Sequence, residues 1–252
     1  MTPRRTLAPA LLAVLLLGGC GGAPEEIGPT GVDGLEVPTP SPDPADFVDR
    51  IDNPWLPLVP GSEWVYESTG DEGERETVTV TVTDETRVVA GVTTTVVHDV
   101  VTDARGRVVE DTYDWFAQDT AGNVWYFGED TTAYEGRRRR PTTEGSWEAG
   151  VDGAEAGLAM PATPRVGDGY RQEYDAGAAE DQARVLAVGE TRTVAGTTYD
   201  DLVVTEDTTP LEPGLVEVKY YARGTGLVLE ETVSGGEERV ELVRARLVAS
   251  DA

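Results

Sequence analysis

Cysteine, histidine and lysine are nearly absent from this chain, which holds one of each in 252 residues. A single cysteine excludes an intramolecular disulfide, and a single histidine leaves no His-based metal site. Positive charge is also scarce: 20 Lys plus Arg stand against 47 Asp plus Glu, a formal net charge of −27. A body of that sign repels phosphate backbones and anionic lipid head groups, which argues against nucleic-acid binding and polybasic membrane contact. No long hydrophobic run is present either. The most apolar stretch, Leu7–Leu17, has 11 residues, where a helix needs roughly 20 to cross a bilayer.

That stretch is an address. Arg4 and Arg5 precede it and Leu17-Gly18-Gly19-Cys20 follows it, the order of a secretory signal peptide ending in a lipobox. Residues 1–19 are read as the signal and Cys20 as the acylated residue of the mature chain. Two acyl chains there give stable anchoring where one gives only marginal binding. Arg4-Arg5-Thr6-Leu7 has a faint twin-arginine character, but ordinary Sec export fits better. The expected location is the extracytoplasmic face of the cell membrane, reached through the lipid on Cys20. Residues 20–46 carry Pro24, Pro29, Pro38, Pro40, Pro42 and Pro44 with almost no large apolar side chains. Such a composition cannot bury enough surface to order itself, and it reads as a disordered tether spanning about 25–30 Å.

From residue 47 to the C-terminus the chain reads as β. Val78, Val80 and Val82 alternate with threonines, the period-two pattern of a half-buried strand. Similar runs recur to Val248, separated by turn clusters such as Asp103-Ala104-Arg105-Gly106 and Ser234-Gly235-Gly236. Residues 149–160 are rich in Ala but broken by Gly150, Gly153 and Gly157, and they read as a loop. The pattern also repeats. Glu85-Thr86-Arg87-Val88-Val89-Ala90-Gly91 returns as Glu190-Thr191-Arg192-Thr193-Val194-Ala195-Gly196, and Trp115-Phe116-Ala117 returns as Tyr220-Tyr221-Ala222. Gly61-Ser62-Glu63-Trp64 aligns with Gly167-Asp168-Gly169-Tyr170 one residue out of that register. The expectation is an all-β fold of antiparallel sheet. It has two tandem copies of a five- to six-stranded meander, one over about 58–148 and the other over about 164–248. They form one strongly curved, half-barrel-like domain or two packed sheets, which would relieve the exposed edges of a single copy.

Candidate functional residues are few. Along 113–118, Tyr113, Trp115 and Ala117 share one face and Asp114, Phe116 and Gln118 the other; Trp125-Tyr126-Phe127 likewise sets aromatics on both faces. Such strands are covered on both sides, or line a groove with one. Trp64, Trp115, Phe116, Trp125, Tyr220 and Tyr221 are therefore the candidates for lining a ligand site. His98 lies in a strand, and no serine sits in a nucleophile-elbow pattern to serve it. With 47 carboxylates, a two-carboxylate mechanism is always arithmetically available and so uninformative. Asp119–Asn123 lacks the ligand order of a Ca²⁺ loop, and Arg137–Arg140 reads as a surface loop paired with the acidic body. No metal, cofactor or catalytic residue is expected.

Two strings, Asn53-Pro54-Trp55-Leu56-Pro57-Leu58-Val59-Pro60-Gly61-Ser62-Glu63-Trp64-Val65-Tyr66-Glu67 and Tyr113-Asp114-Trp115-Phe116-Ala117-Gln118-Asp119…Gly122-Asn123-Val124-Trp125-Tyr126-Phe127-Gly128-Glu129, carry a resemblance. On them the chain resembles a family of uncharacterised predicted lipoproteins from high-GC bacteria. The resemblance covers most of the mature domain and implies no activity, substrate or site residue. Three expectations follow. The first is a non-enzymatic, membrane-tethered lipoprotein binding an apolar ligand or an envelope partner. The second is an envelope structural or assembly module with a solid core. The third is a secreted hydrolase, which requires two carboxylates converging in one cleft with perturbed pKa values.

Overall fold

The computed structural model describes residues 36–37, 43–70, 73–135 and 139–249. The signal peptide, Cys20 and most of the tether lie outside the described residues. Within the span read as tether, β1 (Glu36–Val37) pairs with the barrel, and Pro44–Asp46 forms one 3₁₀ turn capped by Asp43, which accepts from the Ala45 amide at 2.9 Å. These are the described residues of the segment read as tether.

β2 (Phe47–Val48) lies against β6, and the first meander then runs through β3 (Glu63–Thr69), β4 (Arg75–Val89), β5 (Val92–Asp103), β6 (Val108–Asp119) and β7 (Val124–Glu135). Each strand is antiparallel to the next. Two short strands, β8 (Arg140–Thr142) and β9 (Trp147–Glu148), extend β7, and β10 (Glu155–Met160) pairs with it. The second meander opens with β11 (Gly169–Arg171) and β12 (Glu173–Tyr174), two pieces of one bent segment. It continues through β13 (Gln182–Val194), β14 (Thr197–Thr208), β15 (Val216–Ala222) and β16 (Gly226–Ser234), and β17 (Arg239–Arg246) is the last of the described strands.

The internal repeat is visible in the backbone. The β4–β5 hairpin turns at Ala90-Gly91 with φ of 49° and 83°, and the β13–β14 hairpin turns at Ala195-Gly196 with φ of 45° and 84°. Both central residues of each turn are left-handed, the type I′ geometry that matches strand twist. Side chains repeat as well. The Arg87 guanidinium lies 4.0 Å over the Trp115 ring, and Arg192 lies 4.9 Å over Tyr220.

The two copies join edge to edge at both sides. β17 pairs along β3, tying the end of copy two to the start of copy one. On the far side, β10 pairs with both β7 and β12, while β11 pairs with β13. The result is a single large sheet curved almost into a closed barrel, with its seam at the bend between β11 and β12. Residues 155–160, expected as loop, are therefore the strand that completes the sheet. Gly157 makes this possible: a Cβ there would sit 2.1 Å from the Gln172 carbonyl oxygen. The glycine that read as a loop signal permits a close backbone approach instead.

Candidate functional site

One end of the barrel is capped by the segment that leads into β3. Asn53 organises it. Its Oδ1 accepts from the Trp55 and Leu56 amides, its Nδ2 donates to the Gly122 and Pro161 carbonyls, and its own amide donates to Gln118 Oε1. The Pro54 carbonyl accepts from the Gly224 amide at 2.6 Å. Gly122 and Gly224 lie in the β6–β7 and β15–β16 turns, the equivalent hairpins of the two copies. The segment thus straddles both, and turns Leu56 and Leu58 toward the interior.

Behind this cap lies a cavity of about 560 Å³, within the size range of small-ligand sites. Part of its wall is apolar, formed by Leu56, Leu58, Val80, Val97, Phe116 and Leu227. Its charged-type residues are Asp99, Asp114, Glu129, Glu173, Asp181 and Glu230, with Lys219 the lysine among them, and the phenols of Tyr66, Tyr126 and Tyr221 lie beside them. Strand register sets this arrangement. Asp114 opposes Glu129 across β6–β7, and Lys219 opposes Glu230 across β15–β16.

The two sides differ in how their charges are met. Lys219 Nζ lies 3.2 Å from Asp207 and 3.7 Å from both Glu217 and Glu230. Burial works against its ammonium, but Glu230, Asp207, Tyr221 and Glu217 hold its pKa well above the ordinary lysine value. On the other side the Tyr126 hydroxyl lies 2.6 Å from Asp114 Oδ1 and 3.0 Å from Glu129 Oε2. Burial, reinforced by neighbouring carboxylates, pushes Asp99, Asp114 and Glu129 each to about 7. Glu173 accepts from Trp147 Nε1 at 2.9 Å and is still pushed to about 8, by burial first and Asp181 second. Asp99 Oδ1 is buried and has no hydrogen-bond partner among the described residues.

Of the residues expected to line a site, Phe116 and Tyr221 face the cavity. Trp64, Trp115, Trp125 and Tyr220 are buried elsewhere. Trp64 donates to the Thr225 carbonyl at 2.6 Å, Trp125 donates to Asp119 Oδ2 at 2.9 Å, and Trp115 and Tyr220 sit under their arginines. Strand alternation explains the split, since Trp115 and Phe116 are neighbours on opposite faces of β6. His98 is stacked on Tyr113 at 4.3 Å with Nε2 3.0 Å from Asp111, away from the cavity. Asp119 accepts from the Ala121 and Asn123 amides and from Asn123 Nδ2 and Trp125 Nε1. Arg139 donates to the Val108 carbonyl and lies over Tyr134. Arg137 and Arg138 lie outside the described residues.

Sequence reasoning missed the interior acids and Lys219. A signal was present: Asp114 shares the Phe116 face of β6, and Lys219 stands at the same repeat position in copy two.

No family model matches the chain, and no curated protein matches it. Solved structures do. A Bacteroides fragilis NCTC 9343 protein inferred to be exported, with a YmcC-like fold, is similar at 14% identity and a TM-score of 0.42, covering 77% of this chain and 99% of its own. A Parabacteroides distasonis ATCC 8503 protein inferred to be a lipoprotein is similar at 12% identity and a TM-score of 0.36, covering 76% and 98%.

Proposed function

We propose that the chain is a membrane-tethered extracytoplasmic lipoprotein, acylated at Cys20, whose barrel interior binds a small ligand with an apolar body and performs no reaction on it. The cavity carries this reading: an assembly module needs a filled interior, and this one has about 560 Å³ open behind Leu56, Phe116 and Leu227. The signal, the lipobox and the resemblance to predicted lipoproteins support the location. The barrel does meet the geometric requirement of the hydrolase reading, since Asp114 and Glu129 converge on one phenol oxygen. The open apolar wall of Leu56, Leu58, Phe116 and Leu227 is a surface for holding a ligand, and it is what favours the binding reading here.

The test uses N-phenyl-1-naphthylamine, a neutral apolar dye that brightens on leaving water. The wild-type chain is expected to bind it saturably, and Leu227→Trp, which pushes a larger ring into the cavity, to weaken binding while keeping the β-type circular dichroism spectrum. Equal binding by both would place the dye elsewhere and remove the reading.

A further inference from the structure

The repeat lets the two sides of the cavity be compared position by position. In copy two, Lys219 opposes Glu230 on β16 and Thr205 on β14, with Asp207 two residues further along. In copy one, Asp114 opposes Glu129 on β7 and Val97 on β5, with Asp99 two residues further along. The equivalences are therefore Asp99 with Asp207, Asp114 with Lys219, and Glu129 with Glu230. Acids that surround an ammonium in copy two surround another carboxylate in copy one. Among the described residues Lys219 is the one basic side chain on the cavity wall, and it is committed to copy two.

Copy one is thus missing a cation, and Asp99 marks the gap. Its Oδ1 is buried with no hydrogen-bond partner among the described residues, a costly arrangement that calls for an explanation. A bare metal ion is a poor one, because among the described residues no three His, Cys, Asp or Glu side chains are grouped to hold it. The approach is also acidic. Asp181 lines both the cavity and a small hollow beside Asp207 and Glu217, and Glu217 continues into an outer hollow of about 350 Å³ walled by Glu74, Glu76 and Glu238. Adjoining hollows of one sign concentrate counter-charged ligands.

We propose that the ligand carries an organic cation, a protonated amine whose head group sits among Asp99, Asp114 and Glu129 as the Lys219 ammonium sits among Asp207, Glu217 and Glu230. The inference rests on the ligand-binding reading above and names the class of ligand. An ammonium offers three donors and no acceptor, a match for a site of carboxylates. The apolar body then lies against Phe116, Leu56 and Leu58. A neighbouring cation also favours the charged form of these acids and draws down the raised pKa values that burial gives them.

Isothermal titration calorimetry at about pH 7.5 on the full chain carrying Cys20→Ser separates the possibilities, with n-octylamine, n-octanol and octanoate as chain-matched probes. Octylamine is expected to bind at least about tenfold tighter than octanol, as a charge-assisted bond implies, with octanoate weakest. Asp114→Lys, which installs the copy-two solution in copy one, should erase the preference for the amine while octanol still binds; Asp99→Asn should reduce it. Equal affinity for the three probes, or a preference for octanoate, overturns the cation and leaves the cavity reading standing. Failure of all three to bind overturns both.

Discussion

Asp99 is placed by strand alternation on the inner face of β5, and burial there raises its pKa from 3.8 to about 7. Glu110 and Glu129 act on it in the same direction, and Asp114 and Glu129 are raised to about 7 beside it, with the Tyr126 hydroxyl opposing the rise at both. The sign for stability follows directly. A carboxyl whose folded pKa lies above its unfolded value binds more protons in the native state, so stability falls as pH climbs from about 4 to about 7 and stays low above that. Asp99→Asn removes one such ionisation. Urea unfolding at about pH 5 and about pH 8 should show the gap between the two conditions shrinking by on the order of 2 kcal/mol, with most of the gain at the higher pH. An unchanged gap would mean that Asp99 is not the strained group. Nothing in the composition distinguishes this acid from the other 46; its environment comes from strands far apart in sequence.

Elements were more legible than residues. The alternation at Val78–Val82 and the paired Ala-Gly turns are local signals, and they place β4, β5, β13 and β14 with their hairpins. What local signals conceal is long-range contact. β10 read as loop because Gly157 interrupts an Ala-rich run, yet that glycine is where β10 crosses the backbone of Gln172 and Glu173. Gly157→Ala should therefore destabilise the chain by about 3 kcal/mol, the upper range for forcing atoms into a filled contact, seen as a lower urea midpoint. Gly169→Ala is the control: it lies in β11, and its added Cβ would meet nothing nearer than the Ala183 carbonyl oxygen at 3.9 Å, an ordinary contact. If the two variants lose equally, the crossing at β10 does not hold the sheet closed.

For the whole molecule, the repeat announced two meanders, and the demands of sheet edges announced that they would join. How they join was not written locally, because β17 on β3 and β10 on β12 are pairings between distant segments. Closure creates the interior, and the Asn53-centred segment caps it. The two copies supply unequal walls, one with its own ammonium and one without. This asymmetry is the molecular basis of the ligand reading, since a protein that only needed a solid barrel would gain from filling the space with apolar side chains. The most direct measurement is native mass spectrometry of the full chain purified from its host, beside the Leu227→Trp variant. The account predicts a small-molecule mass on the wild-type chain, released on unfolding, amine-bearing, and depleted on the variant. A wild-type chain that carries no such adduct, or one retained equally by Leu227→Trp, would contradict it.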